Sequence, residues 1–223
     1  MSAGDRPEKP VDQTVPARAK LATYLRACKA EAGMTYQQMV DEEDSIFSKA
    51  TFERAASGLV VPSWETIEAF VRVTATSFDG LGTALAHSRR LLIRARRATR
   101  APYHLHKAPD PTLIASKAHL LQALRDQYVW AGCPTPGEME RMAAFGRLPQ
   151  NTVRRIVNGR TLPVDGVQAI EFLKACEVVE EPDLERWLMA GSRALESEPW
   201  KSFEWRLAAE QLKAGMVGIG LAA

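Results

Sequence analysis

The sequence predicts an all-α protein: two helical bundles joined by a long basic helix and a linker, with further helices at the C-terminal end. Three observations carry that expectation. Apolar residues recur at helical spacing, and Val, Ile, Tyr and Phe never alternate with polar residues over a strand's length. Helix start and stop signals punctuate the chain. The stretch 151-NTVRRIVNGRTLP-163 follows the plan of 50-ATFERAASGLVVP-62, and in a chain of 223 residues such a repeat argues for two domains.

The elements follow in chain order. Residues 1–19, with prolines at 7, 10 and 16 among polar side chains, read as a flexible arm and lack the apolar stretch of a signal peptide. A first domain is expected over 20–100. Thr35 and Gln38 have the form of a capping box, and Ser63 is suited to cap another helix. Gly33 and Gly58 stand where helices should stop. Over 76–100, apolar residues at 81, 84, 85, 91, 92 and 95 fall at helical spacing with arginines on the other faces, so this helix can close the first core. The segment 101–111, APYHLHKAPDP, reads as a linker. The second domain, 112–180, repeats the signals with Thr135 and Glu138, Asp165, Gly132 and Gly159. Two more helices are expected in 181–223. Their aromatic load of Trp187, Trp200, Phe203 and Trp205 either packs back on the second domain or forms a surface for a homodimer or another protein partner.

Several function classes are disfavoured. Cys28, Cys133 and Cys176 show no paired spacing, which fits a reducing cytoplasm rather than a disulfide framework. No stretch approaches the roughly 20 apolar residues of a membrane helix. His104 and His106 form an HxH pair with no third ligand type beside it, so no metal or other cofactor is expected. Nucleophile, metalloprotease and nucleotide-binding motifs are missing from the sequence, and the chain is not expected to be an enzyme.

Charge is more informative. The net value is only +2, yet residues 80–109 contain seven basic side chains and no acid, which leaves −5 for the remainder. Concentrated basic charge on a mildly acidic body calls for an anionic partner, and nucleic acid is the commonest. Pairing with acidic runs such as 41-DEED-44 is the competing account.

The repeat extends well beyond the opening pair. Leu25-Arg26 and Leu124-Arg125 are each followed seven residues later by Ala-Gly, and Met39 matches Met139. Thr51, Arg54, Gly58 and Pro62 match Thr152, Arg155, Gly159 and Pro163. In the first copy the residues are 33-GMTYQQMV-40, 48-SKATFERAASG-58 and 62-PSWETIEAF-70. In the second they are 132-GCPTPGEMERMA-143, 149-PQNTVRRIVNG-159 and 163-PVDGVQAIEFL-173. Over about 20–75 and 119–177, each copy resembles the lambda-repressor-like helix-turn-helix domain of the Cro and XRE regulators. The resemblance implies a scaffold helix, a turn and a recognition helix in each copy, double-stranded DNA as partner, transcription regulation as use and a cytoplasmic, nucleoid-associated location. The copies depart from each other at the turn, acidic in 40-VDEEDSIF-47 and neutral to basic in 143-AAFGRLP-149.

A recognition helix presents the start of its outer face to base edges and packs its other face on the scaffold helix. In the second copy Val153, Ile156 and Val157 suit the packing face, leaving Gln150, Asn151 and Arg154 as base readers and Arg155 and Arg160 as phosphate contacts. In the first copy Lys49, Thr51 and Arg54 take the reading positions, with Glu53 where the second copy has Arg154. Arg89, Arg90, Arg94, Arg96, Arg97 and Arg100 would follow a phosphate backbone. Two such units imply half-sites about 34 Å apart, one turn of DNA. The alternative is a protein-interaction module in which these folds serve as scaffolds and the polar residues are simply solvated.

Overall fold

The computed structural model describes residues 8–42, 47–75, 78–99 and 107–215. Among them are eleven α-helices, one short 3-10 turn and no strand, so the all-α expectation holds. None of these helices is long and apolar enough to cross a membrane. The chain divides into two compact units, Met1–Pro102 and Tyr103–Ala223.

The first unit contains α1 (Pro16–Glu31), α2 (Tyr36–Glu42), α3 (Lys49–Ala55), α4 (Trp64–Thr74) and α5 (Phe78–Ala98). Pro16 suits the first turn of α1, where its missing N–H has no helical partner to lose. The helix stops at Gly33, whose φ of +63° lets its own N–H reach Ala30 O and the Met34 N–H reach Lys29 O. Thr35 and Gln38 satisfy one another's backbone amides at the start of α2. Ser48 and Ser63 cap α3 and α4 by accepting the Thr51 and Thr66 N–H groups. Leu25, Met39, Phe52, Ile67 and Phe70 are fully buried, with the Phe52 and Phe70 rings edge to face at 5.6 Å. The helix α5 packs on α1 and α4 and adds Leu91, Leu92 and Ala95 to this core.

The described part of the N-terminal arm is docked, contrary to the flexible reading of 1–19. Residues 16–19 form the first turn of α1. Upstream, the Asp12 N–H donates to Ser57 O at 2.9 Å, and Arg18 donates to Leu59 O at 2.8 Å. Glu8 meets Arg26 at 3.6 Å and accepts from the Tyr36 hydroxyl. This approach requires Gly58: with φ at +78°, a Cβ there would stand 2.8 Å from Asp12 O. The polar, proline-rich sequence resembles a loose arm because its attachment runs largely through backbone groups and side chains supplied by other elements.

The second unit opens with the 3-10 turn Pro111–Leu113 and continues through α6 (Lys117–Trp130), α7 (Pro136–Met142), α8 (Gln150–Val157), α9 (Gly166–Ala175), α10 (Glu181–Ala194) and α11 (Pro199–Lys213). Thr135 and Glu138 form a reciprocal capping box on α7, and Asp165 caps α9. One continuous core runs from Ile114 to Leu212. The helices α10 and α11 therefore belong to this unit's body, the packing-back alternative for 181–223. Residues 101–106 of the expected linker, His104 and His106 with them, lie outside the described residues. Residues 111–113 pack on α10, and Ile114 is buried.

The aromatic load of the C-terminal helices is divided. Trp187 and Trp205 are buried, whereas Trp200 and Phe203 are exposed and lie 6.0 Å apart, ring to ring. Gly191 admits the buried indole, since a Cβ there would fall 2.1 Å from Trp205 Cε3. Gly166 likewise brings α9 against α11, where a Cβ would fall 2.4 Å from Ala208 Cβ.

Positions that the repeat aligns have parallel surroundings. Leu25 and Leu124, Met39 and Met139, Phe52 and Val153, and Phe70 and Phe172 are all fully buried. The paired arginine also has a reason. Arg26 Nε donates to Ala56 O at 2.8 Å, at the C-terminal end of α3. The Arg125 side chain lies against Gly159, at the end of α8, with its Cδ 3.2 Å from where a Cβ would be. A cation at that end complements the partial negative charge of the terminal carbonyls.

Candidate functional site

The best-defined polar surface is built on α8. The chain reaches it through residues 143–149, which other helices hold in place. The Ala144 N–H donates to the Glu171 carboxylate at 2.8 Å, Gln168 Nε2 donates to Arg147 O at 3.0 Å, and Leu148 is buried. Phe145, at the tip of this turn, is fully exposed.

Within α8, Val153 and Ile156 have no exposed surface and pin one side of the helix to the core. The opposite side carries Asn151, Arg154 and Arg155, all exposed, with Arg160 exposed just beyond the end. The helix stops at Gly159, with φ +68° and the Arg160 N–H returning to Arg155 O at 2.9 Å.

Three of the residues expected to read bases are brought together. Arg154 donates to Asn151 Oδ1 at 3.0 Å and to Gln150 Oε1 at 3.4 Å. A fourth member was not legible in the sequence: Glu140 of α7 accepts from Gln150 Nε2 at 2.8 Å and from the Gln150 backbone N–H at 3.3 Å. Gln150 is half-buried across α7, where a Cβ on Gly137 would stand 3.5 Å from Nε2. Ten residues separate Glu140 from Gln150, and no helical periodicity links positions on two different helices.

The corresponding surface of α3 is organised differently. Phe52 and Ala55 pin the helix, and Lys49, Glu53 and Arg54 are exposed. Lys49 pairs with Glu53 at 3.8 Å. The Thr51 hydroxyl is 3.0 Å from Ser48 Oγ within the helix cap. Residues 43–46, the centre of the acidic turn before α3, lie outside the described residues.

The arginines of α5 have separate surroundings. Arg90 and Arg94 are exposed, and Arg96 and Arg97 are half-buried. Arg90, Arg94 and Arg97 share one helical face by their spacing of four and seven residues. Arg89 departs from the expected phosphate role: it is buried, and its guanidinium lies 5.0 Å from the centre of the Trp64 ring. That contact attaches α5 to α4, because a cation over an indole face satisfies a charge withdrawn from water. Arg100 lies outside the described residues.

Elsewhere in the first unit, a cavity of about 450 Å³ between α1 and α5 is lined by Lys20, Tyr24, His87 and Leu91 among others. The Tyr24 ring is 4.6 Å from His87, and burial pushes its phenol up to about 12.

As chemistry, α8 offers a hydrogen-bonding surface with two exposed arginines, Arg154 and Arg155, on a helix whose other side is buried. Comparisons with protein-family models, with curated proteins and with solved structures give no match for this chain.

Proposed function

We propose that this chain binds double-stranded DNA in a sequence-dependent manner, with α8 as the recognition helix of a lambda-repressor-like helix-turn-helix in which α7 is the scaffold. One observation carries the reading: α8 buries Val153 and Ile156 completely while turning Asn151, Arg154 and Arg155 to solvent. A helix held so on one side can enter the major groove with donors aimed at base edges and phosphates. Arg160, at its end, is placed to hold a phosphate. Regulation of transcription at the nucleoid is the use that fits such a protein.

In the same reading, α2 and α3 form a second, weaker unit. Lys49 is drawn to Glu53 and Thr51 to the helix cap, so Arg54 carries most of its contact with DNA. Arg90, Arg94 and Arg97 of α5 supply phosphate contacts that do not depend on sequence. A second reading, a docking module for proteins or for another copy of the chain, is favoured by the exposed Trp200–Phe203 pair. Exposed aromatics of this size are common anchors of interfaces.

The test is selection of bound duplexes from a random-sequence pool by the full chain, beside a variant carrying Gln150→Ala, Asn151→Ala and Arg154→Ala. The expected result is a two-part motif that loses one part in the variant. A single motif lost in the variant would confine reading to the second unit. Absence of enrichment at low salt would overturn the DNA reading and favour the protein partner.

A further inference from the structure

We propose that Glu140 is a specificity-determining residue, which removes Gln150 from base reading and leaves the second unit selective for guanine over adenine. The inference rests on the DNA reading of α8 and deepens it.

A glutamine recognises adenine with two bonds at once, Nε2 donating to N7 and Oε1 accepting from the N6 amino group. Here each end of the Gln150 amide already has a protein partner. Nε2 donates to Glu140 at 2.8 Å, and Oε1 accepts from Arg154 at 3.4 Å. Chemistry forces this orientation of the amide, since a carboxylate can only accept and a guanidinium can only donate. The Gln150 backbone N–H, also directed to Glu140, ties the first residue of α8 to α7.

The remaining groups follow from the same count. Arg154 occupies the Asn151 Oδ1 acceptor at 3.0 Å as well. The side-chain acceptors of Gln150 and Asn151 are thus both engaged by one guanidinium. Beyond these bonds, Arg154 and both amides keep further N–H groups, and each amide oxygen keeps only one lone pair, beside a guanidinium, so donors outnumber acceptors. Guanine presents two acceptors, N7 and O6, in the major groove, whereas adenine presents one acceptor and one donor. A donor-rich surface matches the first and leaves the adenine amino group facing mostly donors. Glu140 touches no base in this arrangement. It acts as a positioning residue, because its carboxylate holds the half-buried Gln150 amide across α7, away from the pose in which Nε2 and Oε1 meet one adenine together.

The experiment is selection from a random duplex pool with the full-length wild type, Glu140→Ala, Gln150→Ala and the double variant. Thermal unfolding of each serves as a folding control. The wild type should enrich a guanine-containing half-site, and Gln150→Ala should keep the same base preference. In Glu140→Ala, freeing Nε2 should shift preference towards adenine at one base pair, on the order of tenfold. The double variant should lose that shift. The proposal is overturned if Glu140→Ala enriches the wild-type motif, or changes affinity uniformly for all sequences. It is also overturned if Gln150→Ala alone abolishes an adenine preference already present in the wild type. Absence of any motif in all four proteins would remove the DNA reading itself, an outcome distinct from a wild-type motif unaffected by Glu140.

Discussion

The helices α3 and α8 take parallel places in their units, and they differ in what holds their outward side chains. In α3 the partners are local: Lys49 meets Glu53 one turn on, and Thr51 joins the Ser48 cap. In α8 the network crosses to another helix, from Glu140 through Gln150 to Arg154 and Asn151. The elements that close the two cores differ as well. One long arginine-rich helix closes the first, and two helices with buried Trp187 and Trp205 close the second. Similar buried positions therefore coexist with different surfaces, because burial constrains only one side of each helix.

The largest expected effects probe the shared part of that comparison. Phe70→Ala and Phe172→Ala should each cost about 3–5 kcal/mol, since both rings are fully buried. Hydrogen exchange on the full chain should lose protection in the unit that holds the substitution. Equal loss in both units would break the division into two cores.

Glycine substitutions should separate the units by sign. Gly191→Ala drives a methyl group into the Trp205 ring and should destabilise the second unit by about 1–3 kcal/mol, read by thermal unfolding. Gly82→Ala lies within α5, where a Cβ would meet nothing within 4 Å. That change should instead stabilise the first unit by about 0.5–1 kcal/mol. A stabilised Gly191→Ala protein would contradict the tight approach of α10 to α11.

Under the proposed DNA reading, the surfaces can be compared through affinity measured at fixed salt. Arg154→Ala should weaken binding about tenfold and alter base preference, as expected for loss of a base contact. Arg54→Ala should weaken it by less and leave the preference of the second half-site unchanged. Equal effects on both half-sites would remove the asymmetry between α3 and α8.

The smallest effect concerns pH. The ammonium of Lys117, and then that of Lys201, holds the partly exposed Glu198 carboxyl down at about 2, below its ordinary 4.5. A carboxyl lowered on folding contributes stability above its unfolded value and loses it as pH falls from 4.5 towards 2. The melting-temperature difference between wild type and Glu198→Gln should therefore be constant near neutrality and close across that window. The difference should be small, since exposed ion pairs contribute little. A gap that persists at the acid end of the window would assign the effect to packing rather than charge.

Much of the helical framework was legible in the sequence. Thr35, Ser63, Thr135 and Asp165 sit at helix starts, and Gly33, Gly132 and Gly159 have positive φ at helix ends. These signals are local, so residues three or four apart suffice to form them. Other stops carried no such mark: α9, for one, ends before Glu177, which takes φ +67° without being glycine. Its conformation is held by the turn in which the Val178 N–H reaches back to Leu173 O at 3.0 Å.

The sequence by itself determined where several helices begin, which of their faces are apolar and where arginine accumulates, because each depends on near neighbours along the chain. Tertiary structure decided that Arg89 lies over Trp64, that residues 8–15 dock beside Gly58, and that Trp205 is buried while Trp200 is not. It also decided that Glu140 engages Gln150. Each of these outcomes depends on which side chains packing brings together from different elements, and the spacing of residues within one helix carries no record of that choice.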